Sequence, residues 1–323
     1  MKAKVLITRL NDGKIHSGQS LAIEFGVSRT AIWKIVRRAL KEGFDIHTVR
    51  GRGYQLANPV DFLDQEIIAK NVGSASSRPR PLALSVIDEI DSTNAEVMRM
   101  LARGESAMPV VTAETQTAGR GRRGQPWCSP AGENIYLSMG LSLSGGFSAV
   151  DGLSLVLGVA VAEALECLGA APVGLKWPND IFIDGAKVGG ILVELQGELQ
   201  DGVVHAIVGL GLNVHMTAAP AIDQAWTSLV LARPQMTWSR NALVSALITS
   251  IADASDKFQS VGFAGFRSSW QSRDVFFSRQ LMARDGELQG VGQGIDHSGN
   301  YIVRTNEGEF AVRSGEISLR VAS

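Results

Sequence analysis

Cysteine is nearly absent from this sequence: among 323 residues it contains two, Cys128 and Cys167. Two cysteines so far apart cannot build the disulfide framework of a small secreted domain, and they do not have the spacing of a zinc site. With 45% hydrophobic and 20% charged residues, the composition is typical of a globular protein. A chain of this length is expected to contain two or three domains.

Long apolar stretches are also missing. The longest, Leu153 to Ala162, contains one serine and ends at Glu163, which makes it too short to cross a bilayer and suits a buried helix. No apolar stretch of signal-peptide length follows Met1-Lys2. We therefore expect a soluble, cytoplasmic protein with no membrane partner.

The net charge of −1 hides an asymmetry along the chain. Residues 1–60 hold eleven Lys and Arg against four Asp and Glu, a balance of +7, so the remainder carries −8. A basic N-terminal module on an acidic body indicates a nucleic-acid partner for that module alone.

Residues 21–41 predict a helix-turn-helix. A short helix is followed by a turn at Gly26-Val27, and Ser28 is a typical N-cap for the next helix. Apolar residues then recur at i, i+3, i+4, i+7 and i+8, which predicts one stripe facing the core: Ile32, Ile35, Val36, Ala39 and Leu40. The opposite face of this second helix is basic and polar, as a recognition helix requires.

A predicted hairpin follows, with Arg50 and Arg52 at its tip, and it matches the wing of a winged helix. We expect the module to bind DNA through the second helix and the wing: Ser28, Arg29, Thr30, Trp33, Lys34, Arg50 and Arg52. The alternative is a solvated basic face on a helical packing module.

The segment Gly119-Arg120-Gly121-Arg122-Arg123-Gly124-Gln125-Pro126-Trp127 follows a predicted strand, Val110 to Glu114. Its glycines permit positive φ and a close approach of the backbone to a ligand, and its arginines suit phosphate or carboxylate oxygens. The glycine spacing also fits a dinucleotide-binding turn. However, Pro126 and Pro130 oppose the helix that such a turn needs, and no acid follows about 20 positions later. An anion-binding loop and a basic loop without a ligand remain as alternatives.

Two further segments predict a ligand site. Asp91-Ser92-Thr93-Asn94 precedes a helix that runs to about Ala102, and it has more polar residues than one N-cap requires. Either it only caps the helix, or its hydroxyls and amide bind a small polar ligand. Lys176 lies between an apolar strand and the turn Trp177-Pro178, where it is either a surface lysine or a point charge that holds a carboxylate and a phosphate together.

The remaining pattern predicts an α+β multidomain protein. Expected elements are a buried helix over Leu153–Leu168, with Gly158 for close packing, and an amphipathic helix within 240–270. The expected strands include an antiparallel hairpin at 180–194, where Gly189-Gly190 permits backbone approach to a ligand. From Val275 onward, short strands and turns predict a small β-barrel. We therefore divide the chain into residues 1–62, 63–272 and 273–323.

Together these motifs resemble those of the biotin–protein ligases. The resemblance covers the whole chain in order and rests on Asp-Ser-Thr-Asn (91–94), Gly-Arg-Gly-Arg-Arg-Gly (119–124), Lys-Trp-Pro-Asn-Asp (176–180), Lys-Val-Gly-Gly-Ile-Leu-Val-Glu (187–194), Gly-Leu-Asn (211–213) and Gly-Glu-Ile-Ser-Leu-Arg (315–320). With its winged helix, the chain is similar to the bacterial ligases that also repress the biotin operon. This family implies a winged helix-turn-helix, a central mixed sheet with helices related to class II aminoacyl-tRNA synthetases, of the biotin/lipoate ligase type, and a C-terminal SH3-like barrel.

The resemblance also implies a reaction: biotin and ATP form biotinyl-5′-AMP, and biotin then passes to a lysine of a carrier protein. Lys176 and Arg120 would be catalytic. Biotin would bind at Ser92, Thr93, Asn94, Gln116, Arg120, Gly121, Arg122, Lys176 and Gly190. The nucleotide would bind at Arg122, Arg123, Trp127, Asn213, Trp226 and Arg320. Mg²⁺ is expected with ATP, although no metal-ligand spacing indicates its site.

The implied partners are the biotin carboxyl carrier protein of acetyl-CoA carboxylase, biotin operator DNA and a second copy of the chain when the adenylate is bound. One departure from the family concerns the first barrel strand, where Met282 replaces a lysine that reaches the nucleotide in some relatives, so that Arg279 or Arg284 would have to substitute. The alternatives are a biotin-sensing transcription factor without ligase activity and, less compatible with the arginine loop, a lipoate ligase.

Overall fold

The computed structural model describes residues 3–75, 81–104, 107–144, 150–196, 203–219, 222–283, 286, 288–313 and 319–321. Within these residues the strands form three sheets of two, seven and five strands. The three sheets follow one another along the chain, in the order that the sequence predicts. The boundaries at 62/63 and 272/273 stay predictions.

The N-terminal region is the predicted helix-turn-helix with its wing. Its elements are α1 (Ala3–Leu10), α2 (Gly18–Glu24), α3 (Arg29–Lys41), β1 (Ile46–Val49) and β2 (Gly53–Leu56). Ser28 caps α3, because its side chain accepts a hydrogen bond from the Ala31 amide at 3.1 Å. The strands β1 and β2 pair antiparallel and place the wing between Val49 and Gly53.

One detail of α3 was predicted wrongly. Ile32, Val36 and Ala39 are buried in the core, but Leu40 is 43% exposed. At about 100° per residue, Leu40 lies roughly 80° around the helix from Ile32. The core of a small three-helix module covers a narrower stripe than the periodicity alone suggests.

The central region is built around a seven-stranded mixed sheet with the order β3-β4-β5-β9-β8-β7-β6. Its strands are β3 (Leu82–Ile90), β4 (Met108–Gln116), β5 (Asn134–Ser144), β6 (Gly174–Lys176), β7 (Asp180–Ile183), β8 (Ala186–Gln196) and β9 (Val203–Asn213). β3 and β4 are parallel, and the other neighbouring pairs are antiparallel. The predicted hairpin is confirmed, and its turn residues Asp184 and Gly185 both have positive φ, as a type I′ turn requires.

The helices of the central region are α4 (Gln65–Ala75), α5 (Thr93–Ala102), α6 (Leu153–Leu165), α7 (Leu229–Ala232), α8 (Arg240–Val261) and α9 (Arg267–Gln271). The apolar helix α6 lies in the main core, where a Cβ at Gly158 would meet Leu175 at 3.4 Å, so this close packing is as predicted. Among the described residues, Leu153–Ala170 is the one stretch apolar enough to resemble a membrane span, and most of it is buried inside the protein. The predicted helix within 240–270 is interrupted at Gly262, which has a φ of 65°.

The C-terminal region is a five-stranded antiparallel sheet with the order β13-β12-β11-β10-β14. Its strands are β10 (Gln280–Ala283), β11 (Gln289–Ile295), β12 (Tyr301–Thr305), β13 (Gly308–Val312) and β14 (Leu319–Val321). The sheet shares its core with the central region, since the Trp177 and Tyr301 ring centroids are 5.9 Å apart. Arg284 and most of the motif at 315–320 lie outside the described residues.

A buried arginine joins the linker after the winged helix to the central region. Arg240, at the start of α8, is fully buried. It donates to Glu114 Oε2 at 2.7 Å, to the Asn134 carbonyl at 2.9 Å and to the Asp61 carbonyl at 2.8 Å. Lys4 of α1 reaches the same Glu114 carboxylate at 3.3 Å. One buried charge therefore connects α8, two strands, the linker and the first helix.

We predict that Arg240→Met destabilises the protein by about 3–5 kcal/mol, because it leaves Glu114 buried without its main partner. Urea denaturation measures this change. The control is Arg304→Met, which removes an exposed pair with Glu309 and is expected to cost less than about 1 kcal/mol. If both variants lose the same small amount of unfolding free energy, the buried pair of Arg240 and Glu114 does not stabilise the protein.

Candidate active site

The site begins where the parallel strands β3 and β4 end at the same edge of the sheet. β3 leads into the N-terminus of α5, and β4 leads into the arginine-rich loop, residues 117–128. The amides of Thr117 and Ala118 donate to the carbonyls of Ile90 and Asp91 at 2.8 and 2.9 Å. These hydrogen bonds hold the start of the loop beside the start of the helix.

Ser92, Thr93 and Asn94 are buried at the start of α5. The Ser92 side chain makes no capping hydrogen bond, so capping alone does not explain this polar cluster. The Thr93 amide and hydroxyl both donate to Gln116 Oε1, at 2.9 and 3.2 Å. Ser138 Oγ donates to Asn94 Oδ1 at 2.6 Å. A layer of neutral hydroxyls and amides therefore lines this end of the site.

Two glycines on β9 allow the site to close. A Cβ at Gly209 would lie 2.3 Å from Asn94 Oδ1, and one at Gly211 would lie 2.4 Å from the Trp127 ring. On β8, Gly189 packs closely against the neighbouring strand β9, since a Cβ at Gly189 would lie 2.8 Å from the Gly211 carbonyl oxygen. Small residues are therefore required wherever the helix and the loop rest on the sheet.

The arginine-rich loop folds as a small hairpin against the sheet. The Gly121 amide donates to the Gln125 carbonyl at 2.7 Å, and the Trp127 amide donates to the Gly119 carbonyl at 2.9 Å. Of the three glycines in the loop, Gly124 uses the permitted positive φ, at 70°, and the non-glycine residue Arg123 shares this region at 55°. Gly119 instead provides close packing, because a Cβ there would lie 2.8 Å from Ser129 Oγ.

Two of the loop arginines turn towards the sheet. Arg120 Nη2 lies 3.0 Å from Glu194 Oε1. Arg122 Nη1 donates to Asn179 Oδ1 at 3.3 Å, and burial lowers the pKa of the Arg122 guanidinium, with the neighbouring Arg123 charge adding to this effect. Two adjacent cations at a partly buried position favour an anionic ligand.

Lys176 ends β6 and is half-buried. Its Nζ lies 5.3 Å from the centroid of Phe182 and 5.6 Å from that of Phe276, within the range of cation–π contacts. Trp177, the next residue, donates from Nε1 to the Gly299 carbonyl at 3.0 Å. The C-terminal region thus supplies one of the two rings beside Lys176 and fixes the residue that follows it.

A second polar group lies on the far side of the loop. Lys187 Nζ lies 2.7 Å from Asp180 Oδ1 and 5.5 Å from the centroid of the Trp127 ring. Asn213 is buried and donates to the Thr227 carbonyl at 2.9 Å, which leaves its Oδ1 to accept a hydrogen bond. Lys187 and Asp180 were not predicted as site residues, although both lie inside the quoted motifs.

These side chains surround one cavity of about 800 Å³. All the residues predicted for biotin and for the nucleotide line it: Ser92, Thr93, Asn94, Gln116, Arg120, Gly121, Arg122, Arg123, Trp127, Lys176, Gly190, Asn213, Trp226 and Arg320. Asn179, Asp180, Lys187 and Cys128 also line it and were missed. The structure therefore brings together segments that are up to 228 positions apart in the sequence, Ser92 and Arg320 being the extremes.

The first barrel strand does not reach this cavity with a cation. Met282 pairs with Arg320 across β10 and β14, and it is Arg320 that lines the cavity. Arg279 is exposed and is not among the lining residues, and Arg284 lies outside the described residues. In the part of the chain that the structure describes, no group of three or more His, Cys, Asp or Glu side chains is placed to hold a metal ion.

The predicted DNA-binding residues lie away from the cavity, on the surface of the N-terminal region. Ser28, Arg29, Thr30, Trp33 and Lys34 are exposed on or next to α3, and Arg50 and Arg52 are exposed on the wing. Trp33 is 50% exposed, with the Arg37 guanidinium 5.4 Å from its ring centroid. The Trp33 ring is therefore exposed within the basic face of α3, as the predicted DNA contact requires.

Comparison with known proteins agrees with this architecture. Residues 86–213 match the biotin/lipoate A/B protein ligase family, and residues 2–55 match an HTH domain. The chain is 38% identical to the bifunctional ligase/repressor BirA of Salmonella typhimurium and 37% identical to that of Escherichia coli, in each case over 98% of this chain and 97% of the relative. The solved structure of the biotin protein ligase from Aquifex aeolicus, in complex with biotin and ATP, is similar with a TM-score of 0.64 at 30% identity, and the match covers 74% of this chain and 99% of that one.

The resemblance inferred from the motifs is thereby confirmed along the whole chain. The two matched regions fall on the winged helix and on the sheet that carries the cavity. The chain belongs to the biotin/lipoate A/B protein ligase family and, within it, to the bifunctional biotin ligase/repressors.

Proposed function

We propose that this protein activates biotin with ATP in the 800 Å³ cavity, forming biotinyl-5′-AMP, and transfers biotin to a lysine of the biotin carboxyl carrier protein of acetyl-CoA carboxylase. The observation that carries the proposal is the convergence of a neutral polar layer, three loop arginines and Lys176 on one cavity. The structure with biotin and ATP in a similar protein supports both substrates.

The neutral polar layer is suited to the uncharged ureido ring of biotin. This ring has two N–H donors and one carbonyl acceptor, and it gains most from hydroxyls and amides whose orientation is already fixed. Thr93, Asn94 and Gln116 are held by one another, by Ser138 and by Glu194. Biotin would therefore bind with its ring at the start of α5 and its carboxylate towards Lys176.

In the first step, a biotin carboxylate oxygen attacks the α-phosphorus of ATP, and pyrophosphate leaves. Two anions must approach each other, and further charge develops at the phosphorus. Lys176 would bridge the carboxylate and the α-phosphate, and Arg120 and Arg122 would add positive charge from the loop. Catalysis is then mainly positioning and cationic stabilisation.

In the second step, the amine of the acceptor lysine attacks the carbonyl carbon of the mixed anhydride. An amide forms and AMP leaves. The same cations stabilise the departing phosphate. The loop must exclude water from the anhydride between the two steps, because hydrolysis would return free biotin.

The far side of the cavity would hold the nucleotide. The residues that we assign to the nucleotide all line the cavity together with Lys187: Arg122, Arg123, Trp127, Asn213, Trp226 and Arg320. The aromatic rings offer apolar surface for the adenine base, and the cations suit the phosphates. Mg²⁺ would enter with ATP, held chiefly by the phosphate oxygens, and its charge would neutralise the leaving pyrophosphate.

The winged helix would make the same chain a repressor of the biotin operon. We propose that the adenylate-bound form dimerises and binds the biotin operator, and that carrier protein and a second copy compete for the central region. The protein would act in the cytoplasm, where its DNA, its acceptor and ATP are present.

The deciding experiment measures ATP-dependent transfer of biotin to a purified carrier domain. The proposal expects transfer and stoichiometric pyrophosphate release. If no biotinyl-adenylate forms while DNA binding still responds to biotin, the protein is a sensor without ligase activity.

We predict that Lys176→Ala lowers the rate of biotin-dependent pyrophosphate release at least about 100-fold, since one preorganised charge at the reacting groups is lost. The matched control is Lys257→Ala, because Lys257 also lies over a ring, 4.9 Å from the Phe266 centroid, but does not line the cavity. Its rate is expected to stay within about twofold of wild type. Equal rates for the two variants would remove Lys176 from the proposed chemistry.

We predict that replacing both Arg50 and Arg52 by alanine makes the binding of double-stranded DNA less sensitive to salt. The negative slope of log affinity against log salt should become less steep by about two, because about one phosphate contact is lost with each arginine. Electrophoretic shift over a salt series measures the slope. The control replaces the exposed Arg279 and Arg313 of the C-terminal region, and it should leave the slope unchanged. An identical slope in both double variants would exclude the wing from the DNA interface.

A further inference from the structure

Glu194 on β8 contacts Asn94, at the start of α5, and Arg120, in the arginine-rich loop. We call the start of α5 the floor of the proposed biotin site and the loop its cover. Oε2 of Glu194 accepts a hydrogen bond from Asn94 Nδ2 at 2.7 Å, and both its carboxylate oxygens lie near Arg120 Nη2, at 3.0 and 3.2 Å. Asn94 is 100 positions away in the sequence and Arg120 is 74 positions away. One carboxylate therefore joins the start of α5 to the arginine-rich loop.

On the floor, Glu194 fixes which way the Asn94 amide faces. Ser138 donates to Asn94 Oδ1 and the Glu194 carboxylate accepts from Asn94 Nδ2, so the oxygen and nitrogen cannot exchange places without losing both hydrogen bonds. The position of the amide is fixed as well, because it rests on Gly209, where a Cβ would lie 2.3 Å from its oxygen. Asn94 lines the cavity, so its amide is presented to a ligand in one defined orientation.

On the cover, Glu194 supplies the anion for Arg120. The Arg120 side chain, which lines the cavity, is 38% exposed, and the Glu194 side chain, which does not line it, is 25% exposed. The pair is therefore partly open to solvent and does not lie in the core. If the loop moves away, Glu194 keeps a half-buried negative charge without this guanidinium. The charge pair therefore favours the conformation in which the loop covers the cavity.

We propose that Glu194 is a positioning residue that holds the arginine-rich loop over bound biotin and orients Asn94 towards it. This inference rests on the proposed ligase function. Glu194 acts through Arg120 and Asn94, and its effect falls on the biotin side of the cavity and on the retention of biotinyl-adenylate. The nucleotide side, which Trp127 and Lys187 line, is not in contact with it.

The test uses Glu194→Gln in the full chain, because glutamine keeps the shape and the acceptor for Asn94 but removes the charge. With biotin and ATP as ligands, we expect KM for biotin to rise and preformed biotinyl-adenylate to leave about five to ten times faster. KM for ATP should change less than about twofold. A loss of about 1 kcal/mol from a partly exposed pair corresponds to roughly a fivefold change.

A double-mutant cycle keeps the test independent of any folding defect at position 194. Arg120→Gln alters an exposed loop residue and should also speed adenylate release. If the pair is coupled directly, the double variant should release no faster than Arg120→Gln alone. The matched control is Glu166→Gln, since Glu166 pairs with Arg273 at 2.6 Å at similar exposure and does not line the cavity.

The outcomes separate this inference from the function on which it rests. If the wild-type protein forms no biotinyl-adenylate, the proposed function fails and this inference fails with it. If wild type forms it and Glu194→Gln releases it as slowly as Glu166→Gln does, the ligase function stands and the positioning role is wrong. If the two substitutions change the free energy of activation for adenylate release additively, Arg120 and Glu194 do not act as a directly coupled pair.

Discussion

The buried charge of Arg240 is the constraint on which the arrangement of the chain depends. Burying a guanidinium is costly unless its charge is paired, and here Nε and Nη1 of Arg240 donate to Asp61 in the linker, Glu114 on β4 and Asn134 on β5. None of these segments can move away without leaving a buried charge or carbonyl unpaired. Glu114 is two residues before Gln116, which holds Thr93. The linker of the DNA-binding module and the strand that leads into the active-site loop are therefore fixed to the same side chain.

Much of the fold could be predicted because it depends on local rules. Ser28 as an N-cap, the hairpin at 180–194 and the buried helix that begins at Leu153 follow from capping, turn residues and apolar patterning, and the structure has all three. The exposed Leu40 could not be predicted, because periodicity gives the direction of a stripe but not the width of the surface packed against it. The pairing of Arg240 with Glu114 could not be predicted either, since 126 positions separate them and neither has a motif around it.

The residues of the candidate site also divide into those that the sequence predicts and those that only the fold reveals. Several side chains that face the cavity were found because unusual residue types stand together: three arginines among glycines, a serine-threonine-asparagine run, a lysine before Trp-Pro. Asn179, Asp180, Lys187 and Cys128 also face it and were missed. Side chains that support them were missed, because a single glutamate or phenylalanine in a strand is ordinary. Glu194 ends a quoted motif, yet only the fold shows that it meets Asn94 and Arg120. The residues that a site needs for orientation carry a weaker signal in the sequence than those that it needs for chemistry.

The C-terminal region contributes to the site by holding Lys176 and Trp177 in position, although Met282 stands where some relatives have a lysine. Met282 carries no charge, so this position gives the C-terminal sheet no direct electrostatic role in catalysis. Yet Phe276 lies 5.6 Å from Lys176 Nζ, the Gly299 carbonyl holds Trp177, and the hydroxyl of Tyr301 donates to Asp274 at 2.8 Å beneath them. Burial raises the pKa of Asp274 to about 6, which marks how enclosed this contact is. The proposed reaction needs Lys176 to bridge two anions in a fixed geometry, and the aromatic rings beside its ammonium would restrict its position for that role. The C-terminal sheet therefore takes part in the site through the position of Lys176, and its own cation, Arg320, lines the same cavity.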